Sequence, residues 1–555
     1  MKGTFSSIGM QTSPWLVILA FTFLVAPFAL DFHLHYPDEM YYSNAAIKMM
    51  QNNDYLTTYL GSGELRFKKP ILTYWGVLAG FKIFGPSAFS SRIFFLLAGS
   101  ALVFMVFKIG KLATGNKKTA YISAWIAATH PVVIFSSTRS IPDILLTLFM
   151  TMTAWGISGM IKYGNDSPKR YIWLTYLGIG LGFEAKGLPA AALGAIGIGY
   201  LMWNPWKKIH WKKILNLPAI LICVGIGLFW FIAMYLKFDT TYLDSFFADQ
   251  VGIRVGSKIA VFSKNLLLAI SLMVLLFIPW VFFGFPTIKK HFKPFWHENK
   301  PFIGFVITWT IAIILMSALV FKFYERYLLP VVPLSAVGLA MLLEKENSSR
   351  LNKFYRWGMI FFLAINFILL VVACYLNLGI GAPYWIYFGL ILGLMVFILL
   401  GNQLAKKQQN VTTLGLSILM VFYWGALVTY QISIPNQGAQ LSNFVEENDI
   451  PEGSKIGFIG HIRTGSKIRI GLGEDYFMTD LPDQVPANKL ADFQYLICDE
   501  AGLEQIPQSK FKIQTAAINW DPDHIPSLLK SIYQGKSDQL FQKIGKRYFW
   551  AEKLP

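Results

Sequence analysis

Thirteen ionisable side chains in this chain sit where few are expected. Lys68, Lys69, Arg92, Arg139, Lys186, Arg254, Lys322 and Arg326 lie in, or near the ends of, segments that join long apolar runs. Asp38, Glu39, Asp143, Glu184 and Glu325 fall at the same level. Scattered cations of this kind can be snorkelling side chains, their stems in apolar surface and their heads in water. A shared level with carboxylates points further. Ionisable groups near membrane depth line a cavity or pair with one another. Lys and Arg offset the charge of a phosphate, and a carboxylate takes a proton from an acceptor hydroxyl. The mixture therefore suits a pocket that holds a phosphate and activates a hydroxyl.

The elements that must position these residues are membrane helices. Of 555 residues, 54% are hydrophobic and 14% charged, and the mean hydropathy is +0.47. Runs such as Leu266–Phe283, Phe302–Val320 and Met359–Leu376 are long enough to cross a hydrocarbon core of about 30 Å. Length and apolarity predict about 13 spans, at 14–31, 93–111, 119–136, 141–161, 171–185, 188–203, 214–236, 264–285, 301–320, 326–343, 355–377, 383–400 and 411–430. The first is too long for the apolar region of a typical signal peptide and lacks a small-x-small cleavage site, so it reads as a retained anchor.

Charge sets the orientation. The net charge of +18 comes from short loops between apolar runs, which argues for cytoplasmic loops and against nucleic acid. With the N-terminus inside, the inner loops carry Lys108/Lys111/Lys117/Lys118, Lys162/Lys169/Arg170, Lys207/Lys208/Lys212/Lys213, Lys289/Lys290/Lys293, Arg350/Lys353/Arg356 and Lys406/Lys407. Every inner loop is then basic. Adding or removing one span would spoil the pattern, so the number of spans is expected to be odd.

Two domains are expected: a transmembrane part over 1–430, with a long outer loop at 32–92, and a soluble outer α/β part over 431–555. The outer loop holds amphipathic stretches at Glu39–Met50 and Pro70–Phe84. In the tail, Lys455–Ile459, Gln494–Cys498 and Phe511–Ala517 read as strands, and Gly438–Glu447 and Ile525–Ile532 as helices. Cys223, Cys374 and Cys498 show no CxxC spacing and no neighbouring His, which speaks against a zinc site or a disulfide framework.

The outer loop holds the sharpest signal. It reads His35-Tyr-Pro-Asp-Glu-Met-Tyr-Tyr42, then Asp54-Tyr55, then Phe67-Lys-Lys-Pro-Ile-Leu-Thr-Tyr-Trp75, then Phe84-Gly85 and Arg92. Downstream come Arg139-Ser-Ile-Pro-Asp143, Ala185-Lys186-Gly187, Phe246-Phe247 with Arg254, and Lys322 to Tyr327 followed by Pro330 and Pro333. This ordered set, over about residues 30–340, resembles the aminoarabinose transferase and protein mannosyltransferase-like glycosyltransferases.

The resemblance implies an all-α polytopic GT-C fold with amphipathic juxtamembrane helices and a small outer α/β domain. It implies transfer of a sugar, with inversion, from a polyprenyl-phosphate donor to a lipid or surface-glycan acceptor, at the outer face of a bacterial inner membrane. Asp38 would be the general base, with Asp143 and Glu39 as further catalytic carboxylates. Lys69, Arg254 and Lys186 would bind the donor phosphate. Tyr42, Tyr74, Arg139, Lys322 and Tyr327 would line the substrate pocket. Relatives often carry Glu and Glu-His where this chain has Lys68, Gln250 and Val251, so the aminoarabinose specificity stays open and neither a cofactor nor a metal is expected. An oxygen-ligand site built from Asp38, Glu39 and Asp143 is the counter-case. His130, before Pro131, reads as a core histidine. A protein acceptor, a flippase of lipid-linked saccharides and an oligosaccharide ligase are the alternatives; a transporter would more often show two related halves, and none is visible.

Overall fold

The computed structural model describes residues 13–30, 37–248, 259–346, 348–380, 384–432, 436–519, 525–536 and 545–555. Proline and glycine punctuate the helices. The first helix, α1 (Pro14–Ala29), opens on proline at its first position, where the missing N–H leaves no bond unmade. Two helices of the 32–92 loop follow, α2 (Glu39–Asn52) and α3 (Leu72–Phe84). Next comes α4 (Ala88–Thr114), whose N-cap Ser87 accepts from the Ser90 amide. Then α5 (Lys117–Ala128) and α6 (Pro131–Ser137) form a pair bent by 64°. His130 caps α6 and packs edge-on against Phe277, ring centroids 4.7 Å apart.

The next pair, α7 (Pro142–Tyr163) and α8 (Lys169–Lys186), packs closely. A Cβ on Gly178 would come within 2.4 Å of Thr153 Oγ1, so the small residue is what allows this approach. Gly187, at φ 81°, ends α8. After it come α9 (Leu188–Trp203), α10 (Trp211–Ile214), α11 (Leu217–Phe238), α12 (Thr241–Phe247), α13 (Ile259–Leu275) and α14 (Trp280–Ala318). A 3-10 segment, Glu325–Val331, leads into α15 (Val332–Glu344). The membrane part closes with α16 (Ser348–Ile380), α17 (Tyr384–Ala405) and α18 (Val411–Ile432).

Eight helices among the described residues are long and apolar enough to cross a bilayer, or nine with the bent pair as one span. Shorter apolar helices at Pro14–Ala29, Leu188–Trp203 and Ile259–Leu275 cover three more predicted spans. The spans expected at 264–285 and 301–320 differ in their boundaries: α13 ends at Leu275, a break follows near Ile278–Pro279, and α14 runs from Trp280 through a kink at Asn299, with Phe292–Ala318 apolar enough to cross a bilayer. A charged segment can stay helical where it leaves the apolar layer, and hydropathy reads it as a loop. Large apolar side chains stand exposed along α11, α16 and α17, including Leu228, Phe367 and Phe388. Such a belt suits lipid and not water.

The tail forms a mixed five-stranded sheet of β1 (Lys455–Ile459), β2 (Phe477–Asp480), β3 (Tyr495–Cys498), β4 (Phe511–Asn519) and β5 (Lys546–Lys553), in the order β2-β1-β3-β5-β4. Strand β1 is parallel to β2 and to the central strand β3, while β5 is antiparallel to β3 and β4. The helices of this part are α19 (Gln437–Glu447), α20 (Ile462–Leu472), α21 (Ala487–Leu490), α22 (Glu500–Leu503) and α23 (Ile525–Tyr533). Of these, α20 makes the crossover from β1 to β2. One core joins Leu441, Phe458, Ile468, Met478, Ile497 and Trp550. Another joins Ile459, Leu496, Ile506, Phe511 and Ala551. All three cysteines are free.

Candidate active site

Asp38 is the N-cap of α2, Asp143 lies in the first turn of α7, and Lys186 ends α8. Arg326 sits in the 3-10 segment. Four elements thus deliver four charges to one place. Arg326 Nη2 donates to Asp38 Oδ2 at 3.0 Å, and its Nε lies 3.5 Å from Asp143 Oδ2. Lys186 Nζ donates to Asp143 Oδ1 at 2.6 Å. Arg326 therefore links the two carboxylates, and Lys186 holds the second. Tyr327 packs under both cations, its ring centroid 4.9 Å from Lys186 Nζ and 5.8 Å from the Arg326 guanidinium carbon.

Burial, and then the Asp143 carboxylate, hold the Asp38 carboxyl above the usual carboxylate range, against the pull of Arg66, Lys69 and Lys186. A carboxylate raised in this way is more basic than a free one. Its side chain keeps 43% exposure, whereas Asp143 keeps 4%. Asp38 can be reached and Asp143 cannot.

Asp143, Lys186, Arg326 and Tyr327 form the polar end of a cavity of about 280 Å³. Apart from Ser317 the rest of its wall is apolar, with Leu188, Pro189, Leu193, Ile313, Met316, Leu319 and Val320 among its residues. An apolar pocket with two cations at one end fits a lipid chain that carries an anionic head.

The structure separates other expected residues. Glu39 is fully buried and held by Arg92 through two bonds, Nε–Oε1 at 2.8 Å and Nη2–Oε2 at 2.9 Å. The Ser140 amide and hydroxyl also donate to Glu39 Oε1, at 2.8 and 3.2 Å. Both oxygens are engaged. Arg139 lies on this side, its guanidinium 5.6 Å from the Phe135 ring and within electrostatic reach of Glu39. Lys322 is exposed, over the Tyr324 ring at 5.3 Å. Tyr42 and Tyr74 are buried with ring centroids 4.8 Å apart. Burial, then Tyr74, push the Tyr42 hydroxyl well above its usual range, so it stays protonated. Lys69 is buried near Asp38. Arg254, Gln250 and Val251 lie outside the described residues. Among the described residues no three His, Cys, Asp or Glu side chains gather as a metal site.

Comparison with known proteins follows the same line. Residues 68–241 match the dolichyl-phosphate-mannose-protein mannosyltransferase family. The crystal structure of ArnT from Cupriavidus metallidurans bound to undecaprenyl phosphate has a TM-score of 0.68 to this chain at 13% identity, covering 97% of this chain and 98% of that one. At that identity the likeness shows a shared fold. An uncharacterised protein of Aquifex aeolicus is 26% identical over 330 residues, 59% of this chain and 62% of its own length. The undecaprenyl phosphate-alpha-4-amino-4-deoxy-L-arabinose arabinosyl transferase of Pseudomonas paraeruginosa is 22% identical over 349 residues, 62% of this chain and 61% of its own length. The chain thus spans about three fifths of the length of these curated relatives.

Sequence reasoning missed Arg66 in this site. Its guanidinium is buried over Tyr41 at 4.3 Å, with the Tyr42 and Tyr74 rings at 5.7 and 5.9 Å, and it donates to the Tyr74 hydroxyl. With Lys69 and Lys186 it draws the Asp38 carboxyl downward. Its place two residues before Lys68, between Tyr42 and Tyr74 in a loop already marked as chemical, was the available signal. The pairing of Arg326 with Asp38, 288 positions apart, left no local signal.

Proposed function

We propose that the chain transfers a sugar from a polyprenyl-phosphate donor to a lipid or surface-glycan acceptor, at the outer face of a bacterial inner membrane. The observation that carries this reading is the amphipathic cavity, apolar along its length and closed at one end by Lys186, Arg326 and Asp143. The polyprenyl chain occupies the apolar wall. Its phosphate meets Lys186 and Arg326, with Lys69 and Arg66 completing the positive surroundings. Asp38 takes the proton of an acceptor hydroxyl. The freed oxygen attacks the anomeric carbon from the face opposite the phosphate, a new C–O bond forms, and the bond to the phosphate oxygen breaks. The sugar inverts and polyprenyl phosphate leaves, its charge met by cations already in place. Glu39 and Arg92 fix the start of α2 and touch no substrate.

The curated relative's name makes undecaprenyl-phosphate aminoarabinose the first donor to try, with lipid A as acceptor. The test is incubation of the purified full chain with that donor and acceptor, followed by mass spectrometry of both lipids. Transfer supports the reading. Movement of the lipid across a vesicle bilayer, with no transfer from this or other polyprenyl-phosphate sugars, would favour a flippase. Orientation is tested separately: a reporter fused after Lys407 should read inside and one after Glu447 outside. The reverse would put the site on the wrong face.

A further inference from the structure

Helix α2 is unusual for a loop helix on a membrane protein. Its composition is mixed, yet from Glu39 to Met50 only Tyr41 escapes full burial. One side packs on α3. The other carries Met40, Asn44, Lys48 and Gln51, spaced to form a single stripe along the helix. Every member of that stripe meets the C-terminal domain. The Met40 carbonyl accepts from Ser466 Oγ at 3.4 Å. Asn44 Oδ1 accepts from Arg469 Nη1 at 2.5 Å. Lys48 Nζ donates to the Met478 carbonyl at 2.9 Å. Gln51 Nε2 donates to the Tyr476 and Glu474 carbonyls at 2.9 and 3.2 Å.

Arg469 is the centre of this contact. It is fully buried. Its Nη2 reaches Asp480 Oδ1 at 2.5 Å and the Gly61 carbonyl at 3.2 Å. The Asp480 amide donates to the same carbonyl at 3.2 Å. One guanidinium thus joins α2, the outer loop and β2. Gly61 makes room for it: a Cβ there would stand 1.9 Å from Asp480 Oδ2 and 2.7 Å from Arg469 Nη1. Burial, then nearby Arg469, pull Lys48 down to about 8, as a dry interface would.

We infer that this contact is a latch through which the C-terminal domain sets the position of Asp38, with Arg469 as its positioning residue. The inference rests on Asp38 acting as the base, as proposed above. The physical argument is leverage. Asp38 caps α2, and a polar helix of 14 residues is marginal without packing partners. The stripe fixes the helix along its length, and the only described ion pair of Asp38 is to Arg326, across from the latch. Loosening the stripe lets the base drift from the cavity while the cavity itself, built by α7, α8, α9 and α14, is untouched.

The test uses the purified full chain and the variants Gly61→Ala, Arg469→Ala, Arg469→Lys and Asn44→Ala. Gly61→Ala adds one methyl group, which meets Asp480 and Arg469 in the docked state only. Three quantities are read: hydrogen exchange of α2 and of β1 and β3, binding of undecaprenyl phosphate, and kcat and KM with the donor and acceptor named above. In Gly61→Ala, α2 should exchange at least about tenfold faster with β1 and β3 still protected. Its kcat should fall about 100-fold, with undecaprenyl phosphate affinity within about twofold of wild type since its binding cations stay in place. Arg469→Lys should recover part of the kcat lost in Arg469→Ala. If a domain variant also unprotects β1 and β3, Asn44→Ala decides, because it lies outside that sheet; normal kcat there overturns the latch. Faster α2 exchange with unchanged kcat also overturns it, as does unchanged exchange in all four. A wild type that binds no undecaprenyl phosphate and transfers no sugar sinks the proposed function, and the positioning role with it.

Discussion

Asp38 and Glu39 are adjacent carboxylates with opposite surroundings. Glu39 has both oxygens taken by Arg92, a third bond from Ser140, and no exposure. Asp38 keeps one described ion pair, on an oxygen 3.0 Å from Arg326, and its side chain is 43% exposed. A saturated buried pair is architecture, because nothing in it is left to bind a substrate. A raised, reachable carboxylate beside cations is poised for proton transfer. On the proposed function, the same residue class one position apart on a helix start thus serves placement in one case and chemistry in the other. Neighbours on α4, α7 and the 3-10 segment decide which.

The sharpest way to break this contrast is to neutralise each carboxylate in turn. Asp38→Asn should lower kcat by about 10²–10⁴-fold, the usual worth of a general base, while leaving thermal stability nearly unchanged. Near-normal turnover would remove Asp38 from the chemistry. Glu39→Gln should do the reverse. It strands the buried Arg92 and should destabilise the fold by about 3–5 kcal/mol, read as a lower midpoint of thermal unfolding. Turnover per folded molecule should change far less than in Asp38→Asn. Equal effects on both scales would erase the distinction.

The cavity cations come next. Lys186→Ala removes a charge-assisted bond to the phosphate and should weaken undecaprenyl phosphate binding by about 1.5–3 kcal/mol. Lys69→Ala should weaken it in the same direction. Unchanged affinity in both, by titration in detergent, would place the phosphate elsewhere.

Much of this was legible in the sequence. The long apolar runs and the Pro and Gly punctuation, such as Gly187 between α8 and α9, marked the helices because bilayer length and backbone sterics leave few options. Charges at the outer ends of spans flagged Asp38, Asp143, Lys186 and Arg326, since ionisable groups there are rarely idle. What stayed hidden was tertiary. Glu39 and Asp38 look alike in sequence, and only Arg92 and Ser140 separate them. Arg66 was not singled out, because the Tyr41, Tyr42 and Tyr74 rings around it come together only in the fold. Arg469 and Asp480 sit in a stretch of ordinary soluble composition. Strand β2 has four residues and ends on Asp480, and β5 begins and ends on charges, so neither shows clean alternation.

The acid side of the pH profile sharpens the comparison more gently. A protonated Asp38 accepts no proton, so kcat should fall as pH drops through its carboxyl pKa. That pKa is raised by burial and then by Asp143, so the fall should begin at a higher pH than for a free carboxylate. Asp143→Asn removes the like charge and frees Lys186 and Arg326 toward Asp38. Both changes favour the ionised form, so the limb should move to lower pH. A limb that moves up, or stays, would mean that another group titrates.

The smallest expected effect is that of removing divalent metal: turnover in excess EDTA should stay within about twofold of the untreated value, because the phosphate is met by side-chain cations. The argument rests on where the charges point. Glu39, one of three carboxylates that could share an oxygen-ligand site, has both oxygens on Arg92. Asp143 is held by Lys186 at 2.6 Å and by Arg326 at 3.5 Å. A cation placed between Asp38 and Asp143 would have to displace Arg326 and face Lys186, with like-charge repulsion from both. In the proposed reaction the leaving group is a lipid phosphate, and a positive cavity end would already meet its charge. Turnover lost in EDTA and restored by Mg²⁺ or Mn²⁺ would reverse the assignment. Asp38 would then be a ligand, and the contrast with Glu39 would become one between a metal site and a salt bridge.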